Sequence, residues 1–147
     1  MRITHLGHAA VLAETDSARI LIDPGNFSDA WHSLTDLDAV LVTHQHPDHL
    51  DPQNLPALLA ANPSAIVLVE PSIRDLISSG DLPSLGNSAA GLTPNDNATI
   101  GDVVVTEDRS VLRDHVGAKP AGVREHPDTR LAGRCHDVAV LNPSRRI

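Results

Sequence analysis

The segment Thr43-His44-Gln45-His46-Pro47-Asp48-His49 places three histidines and an aspartate within six residues. Imidazole and carboxylate are the side chains that hold zinc, iron and manganese. His44 and His46 are two residues apart. In extended chain such side chains project to the same side, so both rings can reach one ion. Pro47 then turns the chain, and the adjacent Asp48 and His49 can address a second position a few ångströms on. Metal coordination lowers the pKa of a bound water to about 7, which supplies hydroxide at neutral pH. A second ion stabilises the leaving oxygen. The competing reading is a polar loop with incidental histidines. That suits a lone histidine better than a cluster set at a strand end.

The elements around the cluster must present it. Asp38–Thr43 (DAVLVT) reads as a buried strand, like the continuous apolar run Ile20–Ile22 expected of a strand covered on both faces, and it leads directly into the histidines. Arg2–Gly7, His8–Glu14 and Ala18–Asp23 read as three earlier strands, the last stopped by Pro24-Gly25. Asn26–Asp36 reads as a loop. Pro52–Ala61 reads as a helix with Asp51 as N-cap, Pro52 at the first position and Leu55, Leu58 and Leu59 on one face. Ala65–Glu70 is the next buried strand. Ser72–Ser79 is a short helix ended by Gly80. Asp81–Asn97 is rich in turn signals, and Ala98–Ile100 with Val103–Thr106 form a hairpin around Gly101-Asp102. This alternation predicts an α/β layered domain with DAVLVT and AIVLVE parallel across the first helix.

Charge divides the chain. Residues 1–108 carry 3 basic and 15 acidic side chains, net −12, and residues 109–147 carry 8 basic and 4 acidic, net +4, giving −8 over 147 residues. The second stretch holds seven of the ten arginines, the only lysine and the only cysteine, Cys135. It reads as a divergent basic tail, either a surface or disordered segment or the product of another reading frame in GC-rich DNA. One cysteine excludes an internal disulfide and a four-cysteine zinc site. The acidic balance and the lack of stacking aromatics argue against nucleic-acid binding. No apolar run reaches the roughly 18 residues of a membrane span. The N-terminus lacks the long apolar stretch of a signal peptide, so a cytoplasmic location is expected.

Thr43–His49 resembles the T-H-x-H-x-D-H signature of the metallo-β-lactamase-fold hydrolases at every defined position. ILIDPG is similar to that superfamily's first motif, a strand ending in aspartate, here Asp23, and THLGHAAVLAE resembles its L-ascorbate-6-phosphate lactonase-like subgroup. The likeness covers Met1 to about Thr106. It implies that residues 1–108 are the N-terminal half of an αββα sandwich, followed by an irregular tail. It also implies that His44 and His46 ligate a first metal and that Asp48 and His49 ligate a second. Asp48 would double as proton acceptor from the attacking water, and Asp23 would orient a ligand from behind. His8 and His5 would face the cleft, with hydrogen-bonded structural roles as the alternative. The implied cofactor is Zn²⁺, one or two ions, with Mn²⁺ or iron as substitutes.

In that superfamily the second half supplies a further histidine, a bridging aspartate and a final histidine. HPDTRLAGRCHDVAVL faintly resembles the H-x-D-x-P stretch and its following strand, and His115 or His126 is the candidate third ligand. A catalytic zinc takes three protein ligands plus water, so two histidines alone leave a site incomplete. Half a sandwich also implies an uncovered sheet face, with homo-oligomerisation to cover it. Three functions follow. The first is a hydrolase of a small-molecule ester, lactone or phosphodiester. The second is a truncated, inactive metal-binding remnant. The third is an interaction module whose basic tail meets an acidic partner.

Overall fold

In the computed structural model, residues 1–80, 89–93, 96–108 and 138–143 are described. The strands are β1 (Arg2–Gly7), β2 (Ala10–Glu14), β3 (Arg19–Ile22), β4 (Ala39–Val42), β5 (Ile66–Val69), β6 (Ala89–Gly91), β7 (Asn97–Ile100), β8 (Val103–Asp108) and β9 (Val138–Pro143). Helix α1 (Leu55–Ala61) joins β4 to β5, and α2 (Pro71–Ser79) follows β5. Strands β1 to β6 form one sheet in sequence order. The first three are antiparallel, and β3, β4, β5 and β6 run parallel. The predicted parallel pairing across the first helix is therefore present, with Ala39 opposite Ile66 and Val42 opposite Val69.

Strand alternation sorts the core into two layers. Leu21, Val40, Val42, Val67 and Val69 face α1 and α2, packing with Leu55, Leu58, Ile73 and the buried Trp31. Ile20, Ala39, Leu41 and Leu68 face the other way, against Ile100, Val103 and Val105. Those three belong to a second sheet of order β7-β8-β9. The expectation of an uncovered sheet face is thus corrected. The β7–β8 hairpin supplies its own apolar side chains to the far face of the first sheet, and Ile20 and Ala39 are fully buried beneath it.

Three further differences have local causes. Helix α1 starts at Leu55 rather than Pro52. Pro56 lacks an N–H, and its ring opposes the carbonyl four residues back, at Pro52, so a regular helix cannot run through this stretch. Asp51 still caps the preceding turn, accepting from the backbone N–H of Gln53 at 2.9 Å and Asn54 at 3.2 Å. Strand β6 falls inside the stretch read as turns, because Ala-Ala-Gly carries no β-branched signal and is ordered by pairing with β5. Strand β9 lies in the stretch read as an irregular tail and pairs antiparallel with β8, Val138 opposite Asp108 and Pro143 opposite Val103. The other readings of the tail, with His115 and His126, fall outside the described residues. No helix among the described residues is long and apolar enough to cross a membrane.

Candidate metal centre

The two motif loops are docked on each other by backbone. Strand β3 ends at Ile22, and Asp23-Pro24-Gly25-Asn26 runs beside Pro47-Asp48-His49, beyond the end of β4. Asn26 N–H donates to the Pro47 carbonyl at 2.8 Å, and Asp51 N–H donates to that of Pro24 at 3.0 Å. Gly25 allows this approach: a Cβ there would sit 1.8 Å from the Asp48 carbonyl oxygen. The Trp31 indole N–H donates to the Gly25 carbonyl at 3.0 Å, so the one tryptophan holds the same loop from the core side. Within the second loop, His49 and Leu50 N–H both donate to the His46 carbonyl at 2.9 Å, which forms the turn that brings His49 back towards His44.

Asp23 is buried and has φ +50°, a left-handed backbone that aspartate tolerates better than most residues. Its carboxylate accepts three bonds: from Thr43 N–H at 2.8 Å, from the Thr43 hydroxyl at 2.7 Å and from His49 Nδ1 at 2.9 Å. That last bond fixes the His49 tautomer. With the proton on Nδ1, the lone pair of the neutral ring lies on Nε2, 3.6 Å from Asp48 Oδ2. The rings of His44 and His46 have centroids 4.1 Å apart, and those of His44 and His49 5.2 Å apart. His44 Nε2 and His46 Nδ1 are 2.6 Å from each other, within hydrogen-bond distance.

The four motif side chains, His44, His46, Asp48 and His49, are therefore neighbours at the end of β4, with Asp23 behind His49. Burial holds His44 below the ordinary histidine pKa, and the charges of His46 and His49 push the same way. Its ring thus favours the neutral, ligating form. Asp48 is held below the usual carboxylate value, first by the hydrogen bond from His8 and despite some burial. His8 Nε2 donates to Asp48 Oδ2 at 2.9 Å. His5 does not reach the cluster and donates instead to the His8 carbonyl at 2.8 Å. Among the described residues no group of three or more His, Cys, Asp or Glu already encloses an ion site. The donor types fit a transition metal, and so does a histidine whose far nitrogen is held by a carboxylate.

Three contributors have little or no signal in periodicity. Thr43 reads as a strand end, yet both its N–H and its hydroxyl serve Asp23. Gly25 reads as a turn, yet it is the contact point between loops. Trp31 lies in the stretch read as a loop, yet it is fully buried in the core.

The model of the β-lactamase superfamily domain matches residues 2–125. The chain belongs to that superfamily. It is 32% identical over 123 residues to a UPF0173 metal-dependent hydrolase of Rhizobium etli, covering 74% of this chain and 51% of the relative. It is 49% identical over 71 residues to protein Rv0786c of Mycobacterium tuberculosis, covering 48% of this chain and 34% of the relative. The chain thus spans about half the length of the former and about a third of the latter. Among solved structures, the diiron β-hydroxylase CmlA of Streptomyces venezuelae superposes with a TM-score of 0.63 at 19% identity, over 98% of this chain and 28% of CmlA. That likeness supports the metallo-β-lactamase fold.

Proposed function

We propose that this superfamily member is a metal-dependent hydrolase acting on a small-molecule ester, lactone or phosphodiester. His44 and His46 would hold one ion, and Asp48 and His49 a second. Bound Zn²⁺, or Mn²⁺ or iron in its place, would lower the pKa of a water to about 7 and polarise the scissile group. The protein's own contributions are positional. Asp23 holds the proton on His49 Nδ1 and leaves Nε2 to ligate. Burial keeps His44 neutral. Asp48, ionised and beside His8, takes up the proton released by the attacking water and returns it to the leaving oxygen. The carrying observation is the gathering of all four motif side chains at one strand end, with Asp23 fixing His49 from behind.

A second reading is a chain that binds metal without turnover. Its support is the donor count, since four side chains shared between two ions fall short of three protein ligands at a catalytic zinc. One experiment separates the two. Zinc-loaded wild type and Asp48→Ala are assayed against ester, lactone and phosphodiester substrates. Hydrolysis by the wild type that is lost in the variant supports the enzyme. Bound metal with no hydrolysis of any substrate supports the inactive reading.

A further inference from the structure

We infer that His8 is a positioning residue for Asp48, holding its carboxylate beside the open nitrogen of His49 so that the pair is ready for a cation. The inference rests on the metal reading above and goes beyond it, because His8 lies outside the T-H-x-H-x-D-H segment. His8 Nε2 donates to Asp48 Oδ2 at 2.9 Å across 40 residues of sequence. The same oxygen lies 3.6 Å from His49 Nε2. With His49 Nδ1 held by Asp23, Asp48 Oδ2 lies between His8 Nε2 and His49 Nε2, a place where a cation could be held by Asp48 and His49 together. His8 supplies the donor that keeps Asp48 in place.

The backbone points the same way. His8 sits at φ +47° in the β1–β2 turn, after Gly7 at φ +115°. A histidine enters the left-handed region at a cost, and such strain persists where the surroundings impose it, often at functional sites. Here they do impose it. Ser28 Oγ donates to the Leu6 carbonyl, and His5 donates to that of His8. The Phe27 ring meets the His8 ring edge-on, with centroids 5.0 Å apart. A stabilising surface ion pair is a poor alternative explanation. The side chains are 44% and 29% exposed, and pairs so exposed contribute little. A glycine would also relieve the turn.

The test measures Zn²⁺ affinity of the full chain by competition with a chromophoric chelator, alongside the melting temperature without metal. His8→Gly accepts the turn and removes the donor. It should bind Zn²⁺ at least about 10-fold more weakly, the usual effect of losing a partner behind a ligand, while the metal-free chain melts within a few degrees of wild type. His8→Gln keeps an N–H donor and should recover part of the affinity. Wild-type affinity in His8→Gly would overturn the role of His8 alone. So would a loss of affinity that follows a collapse of metal-free stability and is not recovered by His8→Gln. A wild type that takes up no Zn²⁺ would overturn the metal reading and this inference with it.

Discussion

Asp23 and His49 come from two loops 26 residues apart in sequence, and their side chains meet at 2.9 Å. The carboxylate that follows β3 therefore orients a histidine in the turn after β4. The parallel pairing of those strands places the two loops side by side, Ile22 opposite Leu41. In an open α/β sheet, the carboxyl ends of parallel strands are where ligands bind.

Replacing Asp23 tests that coupling. Three donors converge on its carboxylate, and Asn cannot accept from all of them in one orientation. Asp23→Asn is expected to weaken Zn²⁺ binding about 10- to 100-fold, as measured by chelator competition. Leaving a buried donor unmet should also cost about 1–3 kcal/mol of stability in urea unfolding. Thr43→Val, which removes one of the three donors, should show a smaller loss of affinity.

Gly25→Ala addresses the contact between the loops. The new Cβ would meet the backbone of Asp48 at 1.8 Å, and backbone cannot give way as a flexible side chain does. The variant should lose about 1–3 kcal/mol by urea unfolding. Its Zn²⁺ affinity should fall too, because the displaced segment carries Asp48 and His49. Unchanged stability would mean that the loops are not docked as described.

Trp31 is the natural reporter of this region, being the one tryptophan and fully buried. Its emission should be blue-shifted in the native chain and move red in a single transition with urea. Trp31→Phe keeps an aromatic ring but leaves the Gly25 carbonyl without its donor. A loss of about 1–3 kcal/mol is expected, read from the circular-dichroism midpoint.

Acid should weaken the contact between the two sheets. Asp102, in the β7–β8 turn, accepts from the hydroxyls of Thr15 and Ser17, and its own N–H donates to Ser17 Oγ at 3.0 Å. These bonds, that from Thr15 foremost, hold its carboxyl below the ordinary aspartate pKa. The folded chain then binds fewer protons here than the unfolded one near pH 4. The contribution is complete above the unfolded value and is lost as pH falls through the folded one. The stability gap between wild type and Asp102→Ala should therefore be constant near neutrality and shrink below about pH 4. A gap that widens in acid would reverse the assigned sign.

Much of the scaffold was legible because its signals are local. DAVLVT and AIVLVE each hold an unbroken apolar run, and the structure buries Ala39–Val42 and Val67–Val69 on both faces. Gly80 adopts φ +85° and ends α2 as its position suggested. The histidine spacing marked out the residues that now lie together. What was not legible depends on contacts distant in sequence. Ala98–Ile100 and Val103–Thr106 read as a hairpin, and only the tertiary fold shows Ile100, Val103 and Val105 covering Ile20, Ala39 and Leu41. The bond from His8 to Asp48 spans 40 residues, and no periodicity encodes it. Gly25 has the same character, since its meaning lies in the backbone it touches.

The central claim is that His44 and His46 hold a metal at the end of β4. The most direct test is the zinc content per chain after dialysis, compared between wild type and the His44→Ala/His46→Ala double variant. At least one ion per wild-type chain, with that ion lost from the double variant, is the predicted result. Less than one ion in the wild type, or equal content in the two proteins, would contradict it.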